Sequence, residues 1–259
     1  MKITKFLTIF SLLLLFTSCS DDESTNNIDN NDDTNTETLL RERITQYDNE
    51  TITEFFNYDS NKNLASIIDS DGFSYNYIYE NNLLKRINYT DSDANIIDYT
   101  NLNYDDTNNL INYVVYIPDN DEGLKFDLEY NSDQTITIKE YRGDLVNQNS
   151  LIGESTINLS NKQKVSEIGN DYSINYSYDN KNGIYKNISN IETLNLINID
   201  FNGYIESGNN NIIRINEEEN GNNIIFDEYE YIYNNDNYPV SATYLYDGEL
   251  DSTIQYIYE

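Results

Sequence analysis

The chain has 259 residues, with 46 acidic against 15 basic side chains, no histidine, no tryptophan and one cysteine. Its formal charge of −31 repels nucleic acid and anionic lipid headgroups, so neither is expected as a partner. Without histidine, Ser-His-Asp and Cys-His nucleophiles, HExxH zinc sites and histidine general bases are excluded. No GxxxxGK[S/T] or GxGxxG run offers a phosphate-cradling loop.

Residues 1–18 read as a signal peptide. Lys2 and Lys5 precede an apolar stretch from Phe6 to Phe16, broken only by Thr8 and Ser11, which is the layout of a secretory signal. The stretch is too short to cross a bilayer, which takes about 20 helical residues. Small Thr17 and Ser18 then lead into Cys19. A lone cysteine in an exported chain has no disulfide partner, and lipidation accounts for its position. The segment resembles the bacterial lipobox, with Phe16 in place of the usual leucine. That resemblance implies cleavage before Cys19 and attachment to a membrane by acyl chains there, which hold stably when more than one is present.

Residues 19–38 are expected to be an acidic, disordered tether, since residues 20–38 contain one apolar side chain, Ile28, and cannot bury enough surface to fold. Its first residues, Ser20 to Glu23 (S-D-D-E), are similar to the acidic signal that sends Bacteroidota lipoproteins to the outer face of the outer membrane. The resemblance implies a cell-surface location. Loss of the signal takes Lys2 and Lys5 with it, leaving 13 basic residues against 46 acids, a formal −33.

Residues 39–259 read as a single β-domain. Period-two alternation in S-Y-N-Y-I-Y (74–79), Y-S-I-N-Y-S-Y (172–178), Y-E-Y-I-Y (229–233) and T-I-Q-Y-I-Y (253–258) puts tyrosines on one face of each strand. Many strands end in an aromatic-acidic or aromatic-amide pair, among them Tyr58-Asp59, Tyr79-Glu80, Tyr104-Asp105, Tyr130-Asn131, Tyr178-Asp179, Tyr233-Asn234 and Tyr258-Glu259. A branched apolar residue follows by six: Leu64, Leu110, Ile136 and Ile184, with a weaker copy in Leu159 and Val165. The residues between are turn formers. One repeat is thus strand, tight turn, strand. Such a hairpin cannot bury its tyrosine face alone and must pair with its neighbours in an antiparallel meander.

The pattern Y-D-x-x-x-x-L resembles the YD (Rhs) repeat over roughly 50–190 and 226–259, with Lys62, Asn108, Gln134 and Asn182 where that repeat carries glycine. The chain is also similar to uncharacterised Bacteroidota surface lipoproteins, through K-N-G-I-Y-K-N-I (181–188) and N-x-Y-P-V-S (near 237–241). Related domains of unknown function have a porin-like, barrel-shaped fold, so the resemblance implies a strongly curled or closed sheet and no particular activity. Strands of about 6–9 residues with acids on both faces, where lipid-facing strands need about 9–11 with an apolar outer face, point to a soluble sheet. The repeat fails near 186–222, where apolar spacings of two and three fit a short helix and a strand equally.

For chemistry the sequence offers little. Asp91, Asp93, Asn95 and Asp98 space oxygen ligands as a calcium ion wants them, although Ile96 and Leu102 occupy positions where an EF-hand loop has glycine and glutamate, and a plain hairpin turn explains the same residues. D-S-D-G (69–72) and D-N-D-E-G (119–123) read as turns too. A carboxylate-based glycan hydrolase needs only two acids across a cleft, and 46 acids supply such a pair by chance. Tyrosine rows serve either as packed sheet or as a platform for sugars or a protein partner. The expectation is an all-β, lipid-anchored envelope protein that binds or adheres without catalysis, to polysaccharide or to another envelope protein, with no cofactor beyond the calcium candidate. A glycan hydrolase and a purely structural envelope protein are the alternatives.

Overall fold

The computed structural model describes residues 38–259, apart from 162, 199, 200, 204, 206 and 207. The signal peptide, Cys19 and the tether up to residue 37 lie outside the described residues. Sixteen strands follow one another: β1 Leu40–Gln46, β2 Thr51–Tyr58, β3 Leu64–Asp69, β4 Ser74–Glu80, β5 Leu83–Thr90, β6 Ile96–Tyr104, β7 Leu110–Ile117 and β8 Glu122–Tyr130. Then come β9 Thr135–Gly143, β10 Ser150–Ser160, β11 Gln163–Gly169, β12 Tyr172–Tyr178, β13 Ile212–Glu219, β14 Asn222–Tyr233, β15 Pro239–Tyr246 and β16 Glu249–Tyr258. Each pairs antiparallel with its neighbours in sequence, and β1 pairs with β16, so the meander closes into a barrel. Closure removes the unpaired edges that an open sheet must protect.

The alternation seen in the sequence sorts side chains between lumen and outer wall. Inward come Phe56, Leu64, Ile67, Tyr77, Leu84, Ile87, Leu102 and Tyr113, all buried. Outward come polar ladders across neighbouring strands, such as Asn57 Nδ2 to Ser66 Oγ (3.0 Å), Asn103 Nδ2 to Asn112 Oδ1 (2.8 Å) and Asn158 Nδ2 to Ser166 Oγ (2.8 Å). Charged pairs share that face: Lys125 with Asp127, and Arg214 with Glu228. A lipid-embedded barrel shows hydrocarbon an apolar band; here the apolar and aromatic face is inside. Exposed apolar side chains are interspersed on that face, among them Phe55, Ile68, Ile78, Ile168, Ile232 and Ile257.

The hairpins at one end of the barrel share a turn. In the β2–β3 turn Asp59 Oδ1 accepts the backbone N–H of Asn61 and Asn63, while Lys62 takes a left-handed φ of 62°. The β6–β7 turn repeats this, with Asp105 capping Thr107 and Asn109 and Asn108 at φ 65°. In β14–β15 Asn234 caps Asp236 and Tyr238, with Asn237 at φ 62°. An Asx side chain that satisfies two N–H groups offsets the strain of a left-handed non-glycine residue. Just beyond, Tyr58 faces Leu64, Tyr104 faces Leu110 and Tyr130 faces Ile136.

Those tyrosines also join neighbouring hairpins. The hydroxyls of Tyr58, Tyr79, Tyr104, Tyr130, Tyr178 and Tyr231 donate to the carbonyls of Leu40, Leu64, Leu84, Leu110, Lys164 and Ile212, at 2.7 to 3.1 Å. Every acceptor is the first or second residue of the preceding odd strand. Each acceptor lies beside a register shift. A bulge frees a carbonyl from the ladder, and a tyrosine hydroxyl takes its place as donor.

Two expected pairings differ. Tyr178 faces Ile212, not Ile184, and Leu159 faces Lys164, not Val165. In the first case the β12–β13 connection is an inserted segment; in the second a bulge moves the register by one. The insertion runs over 179–211, earlier than the 186–222 read from the sequence, because β13 and the start of β14 continue the wall through the second half of that range. It folds into the barrel end bearing the Asx turns and plugs it. Its short helix α1, Ile191–Leu194, buries Leu194, and Ile184, Tyr185, Ile188, Ile197 and Ile205 join the barrel core.

The plug's irregular backbone is held by asparagine. Buried Asn202 bonds the carbonyls of Leu194 and Ile205 and the N–H of Ile205, while its own carbonyl accepts Tyr77 Oη at 2.6 Å. Gly203, at φ 75°, lets the chain come that close, since a Cβ there would lie 2.5 Å from the Tyr77 hydroxyl. Asn211 ties Asp179, Asn182 and Ile184 together. At the rim, Ser189 and Asn190 bond the 61–63 turn, Asn190 bonds Asn82, Asn182 bonds Asp236 and Asn209 bonds Asn161. Buried backbone without regular structure needs such partners, and the asparagine content of the segment supplies them.

Candidate functional site

Above the plug the lumen remains hollow on two sides. The larger cavity, about 580 Å³, is floored by Ile184 and Tyr185 of the plug and reaches the opposite end of the barrel at Tyr47 and Phe73. That end is the mouth. A volume of this size lies within the range of small-molecule sites.

One wall of this cavity is polar and belongs to β16, β1 and β2. Register places Arg43 between Tyr256 and Glu54, and Thr45 between Ile254 and Ile52. The Arg43 guanidinium grips Glu54 through two bonds, Nε to Oε2 at 2.5 Å and Nη2 to Oε1 at 2.7 Å, and donates from Nη1 to Tyr185 Oη at 2.8 Å. Both partners are about 15% exposed, with side-chain values of 16% and 15%. Planar two-point pairing is the geometry arginine offers a carboxylate. Burial alone would weaken the guanidinium as a cation, yet its pKa is held above the ordinary value by the neighbouring phenol of Tyr185 and by Glu54. The pair also ties the wall to the plug.

Stacked tyrosines flank the polar wall. Tyr229 and Tyr244, on β14 and β15, have ring centroids 4.9 Å apart at 25°, and Tyr75 and Tyr89, on β4 and β5, 4.7 Å apart at 29°. Both pairs line the cavity. Tyr244 Oη donates to Asp227 Oδ1 at 2.7 Å, and burial raises the Asp227 pKa despite that bond. Ser252 and Tyr256, on the inward face of β16, are 4% and 6% exposed and line the same space.

The second cavity, about 510 Å³, lies on the β8 to β12 side. Its lining includes Glu140 and Glu167 near Tyr172. Glu167 Oε1 accepts the hydroxyls of Ser155 and Tyr172, each at 2.9 Å. Burial and the charge of Glu167 raise the Glu140 pKa, and burial and Glu167 raise Tyr172 to about 12.

The calcium candidate is a hairpin turn. Asp91 Oδ1 accepts the N–H of Asp93 and Asn95, the Asn95 amide donates to the same carboxylate, and Ala94 is left-handed at φ 64°. Asp98 sits on β6 opposite lumenal Tyr89, where burial pushes its pKa up to about 6. No three acidic side chains come close enough to share a metal ion among the described residues. The 69–72 segment is an Asx turn of the same kind, with Gly72 at φ 91°. Sequence reading did not single out Arg43, Glu54 or Ser252. The available signal was parity, since Glu54 shares a face with Ile52 and Phe56.

No family model matches the chain, and no curated protein does. No family match accompanies the YD-like pattern. Solved structures of similar fold include two porin-like proteins. One is a porin-like protein from Bacteroides vulgatus ATCC 8482, 10% identical, covering 86% of this chain and 99% of that one at a TM-score of 0.49. The other is a porin-like protein from Bacteroides uniformis ATCC 8492, 11% identical, covering 86% and 96% at a TM-score of 0.39.

Proposed function

We propose that the protein is a lipid-anchored component of the cell envelope, held by Cys19 on the outer face of the outer membrane, that binds a ligand inside its barrel without catalysing a reaction. The observation that carries the binding role is the plugged, tyrosine-lined cavity open at the mouth. A purely structural barrel gains nothing from an unfilled lumen, since unfilled space forfeits packing. The polar outer wall supports tethering rather than spanning. The chain enters β1 at the plugged end, where Leu39 and Glu259 exchange backbone hydrogen bonds. The mouth lies at the other end of the wall, where a polysaccharide strand or a segment of an envelope protein can enter.

Two measurements test this. Fatty-acid labelling of the full chain is expected, and Cys19→Ala abolishes it; equal labelling of the variant overturns the anchor. A thermal-shift screen against saccharides, fatty acids and peptides compares the native chain with Thr45→Trp, which fills the cavity. Ligand stabilisation that persists unchanged in the variant overturns lumenal binding. A carboxylate-based glycan hydrolase is the second reading, favoured by Glu140 and Glu167 in the second cavity. It requires glycan turnover that disappears in Glu140→Gln and Glu167→Gln.

A further inference from the structure

We infer that the larger cavity takes a neutral, hydroxyl-rich ring, a saccharide unit, seated against Ser252 and Tyr256 between the two stacked tyrosine pairs. This rests on the reading of the lumen as a binding site and names the chemistry it selects.

Three observations carry it. First, Ser252 and Tyr256 are more than nine-tenths buried, line the cavity and have no hydrogen-bond partner among the described residues. The neighbouring tyrosines of the barrel show what such hydroxyls ordinarily do: Tyr231 bonds the Ile212 carbonyl and Tyr244 bonds Asp227. Neither hydroxyl is among the fully buried polar atoms left without a partner; the two residues sit on the same inward face of β16, four residues apart, and border open space that a ligand can enter. A hydroxyl both donates and accepts, so the complement of two of them is a surface rich in hydroxyls.

Second, the charges of the lining select against ions. Arg43 is the basic residue of the lining, and its charge is already matched by Glu54 in two-point contact. Asp69 also lines the space, and Asp227 stands behind Tyr244. A phosphate or carboxylate ligand would meet acids and a spent guanidinium. A fatty chain would leave the Ser252, Tyr256 and Thr45 hydroxyls without partners, which costs affinity as surely as an unmatched charge.

Third, Tyr229 with Tyr244 and Tyr75 with Tyr89 present ring faces and edges on either side of the polar wall. Tyrosine offers a rigid apolar ring with a polar tip, which suits a ligand with C–H faces and hydroxyl edges. At about 580 Å³ the cavity has room for a short segment of sugar, so a chain end entering through the mouth fits better than the middle of a polymer.

The test uses the full chain and its own tyrosine emission, which no tryptophan masks. Native protein, Ser252→Ala, Tyr256→Phe and the double variant are titrated with neutral hexose and N-acetylhexosamine oligosaccharides, with a sialylated oligosaccharide, and with palmitate. Neutral oligosaccharides are expected to bind, each single variant weakening binding about tenfold and the double variant more. Both substitutions keep ring or backbone geometry, and unchanged thermal midpoints without ligand confirm that the fold is intact. Palmitate or the sialylated sugar binding in preference to neutral sugars, with loss in Thr45→Trp, overturns the ligand class and leaves the lumenal reading standing. Neutral sugars binding equally to all four proteins, or not at all, also overturns the inference.

Discussion

Removing one hydroxyl from three tyrosines of the repeat is expected to have three different effects on stability. Tyr79 Oη donates to the carbonyl of Leu64 at 3.0 Å, and Leu64 is wholly buried at 0% exposure. Tyr79→Phe strands that carbonyl at a bulge where no strand neighbour replaces the donor, at a cost of about 1–3 kcal/mol. For a domain of this size each kcal/mol lowers Tm by about 2–4 °C. Tyr130 makes the equivalent bond to Leu110 at 3.1 Å but is 44% exposed. Water can rehydrate the carbonyl, so Tyr130→Phe is expected to cost about 0.5 kcal/mol. Tyr258 closes the series: its hydroxyl is buried and has no partner among the described residues. Tyr258→Phe removes an unsatisfied donor and is expected to be neutral or to stabilise by up to about 1 kcal/mol. Urea unfolding of the full chain, followed by far-ultraviolet circular dichroism, measures all three. If Tyr258→Phe destabilises as much as Tyr79→Phe, the tyrosines act through packing alone and the donor role is refuted.

Two further perturbations probe turn and charge. Gln134 and Asn108 hold the same left-handed position, at φ 70° and 65°. Gln134→Gly should stabilise by about 0.5 kcal/mol, whereas Asn108→Gly should change little because asparagine tolerates that conformation; equal urea midpoints for both variants would count against turn strain. Burial raises the Asp98 pKa to about 6 from an ordinary 3.8, so the folded protein retains a proton that the unfolded chain releases. The stability it contributes is complete below pH 4 and declines as pH rises through 6. Asp98→Asn should flatten that decline and gain about 1 kcal/mol at pH 7 after allowing for partial exposure. A variant whose pH profile parallels the native one would show the carboxyl to be hydrated. The turn aspartates Asp59, Asp91, Asp105 and Asp144 behave oppositely. N–H bonds hold their pKa values low, despite the opposing effect of burial, which outweighs any single bond at Asp59, and their stabilisation is lost as pH falls below the usual aspartate range.

Much of the wall was legible because strand and turn signals are local. S-Y-N-Y-I-Y states which face is apolar, and Tyr-Asp followed six residues later by Leu states where the chain reverses. Closure was implied by the resemblance, while the pairing of β1 with β16 joins segments some 200 residues apart and has no local signature. The inserted segment was misplaced at both limits for the same reason. Asp179 reads like every other turn aspartate, and only tertiary packing reveals that its partner is Asn211. The cavity wall was harder still. Arg43 and Glu54 occupy inward positions that the apolar rule assigns to core residues, and their mutual pairing makes that placement tolerable. Ser252 stands on the inward face of a strand whose other parity carries Thr253 and Gln255, so nothing in the sequence marks it apart.

The plug touches the rim at separate points around the ring, at the turns near residues 61–63, 82, 161 and 236. A meander of near-identical hairpins has no intrinsic reason to stop at sixteen strands, because each added hairpin would widen the circle and still find a neighbour. The inserted segment works as a gauge. It spans a rim of one diameter only, and a ring one hairpin larger or smaller would leave its asparagines reaching past their turns. The reach of the inserted segment therefore matches the circumference that sixteen strands set.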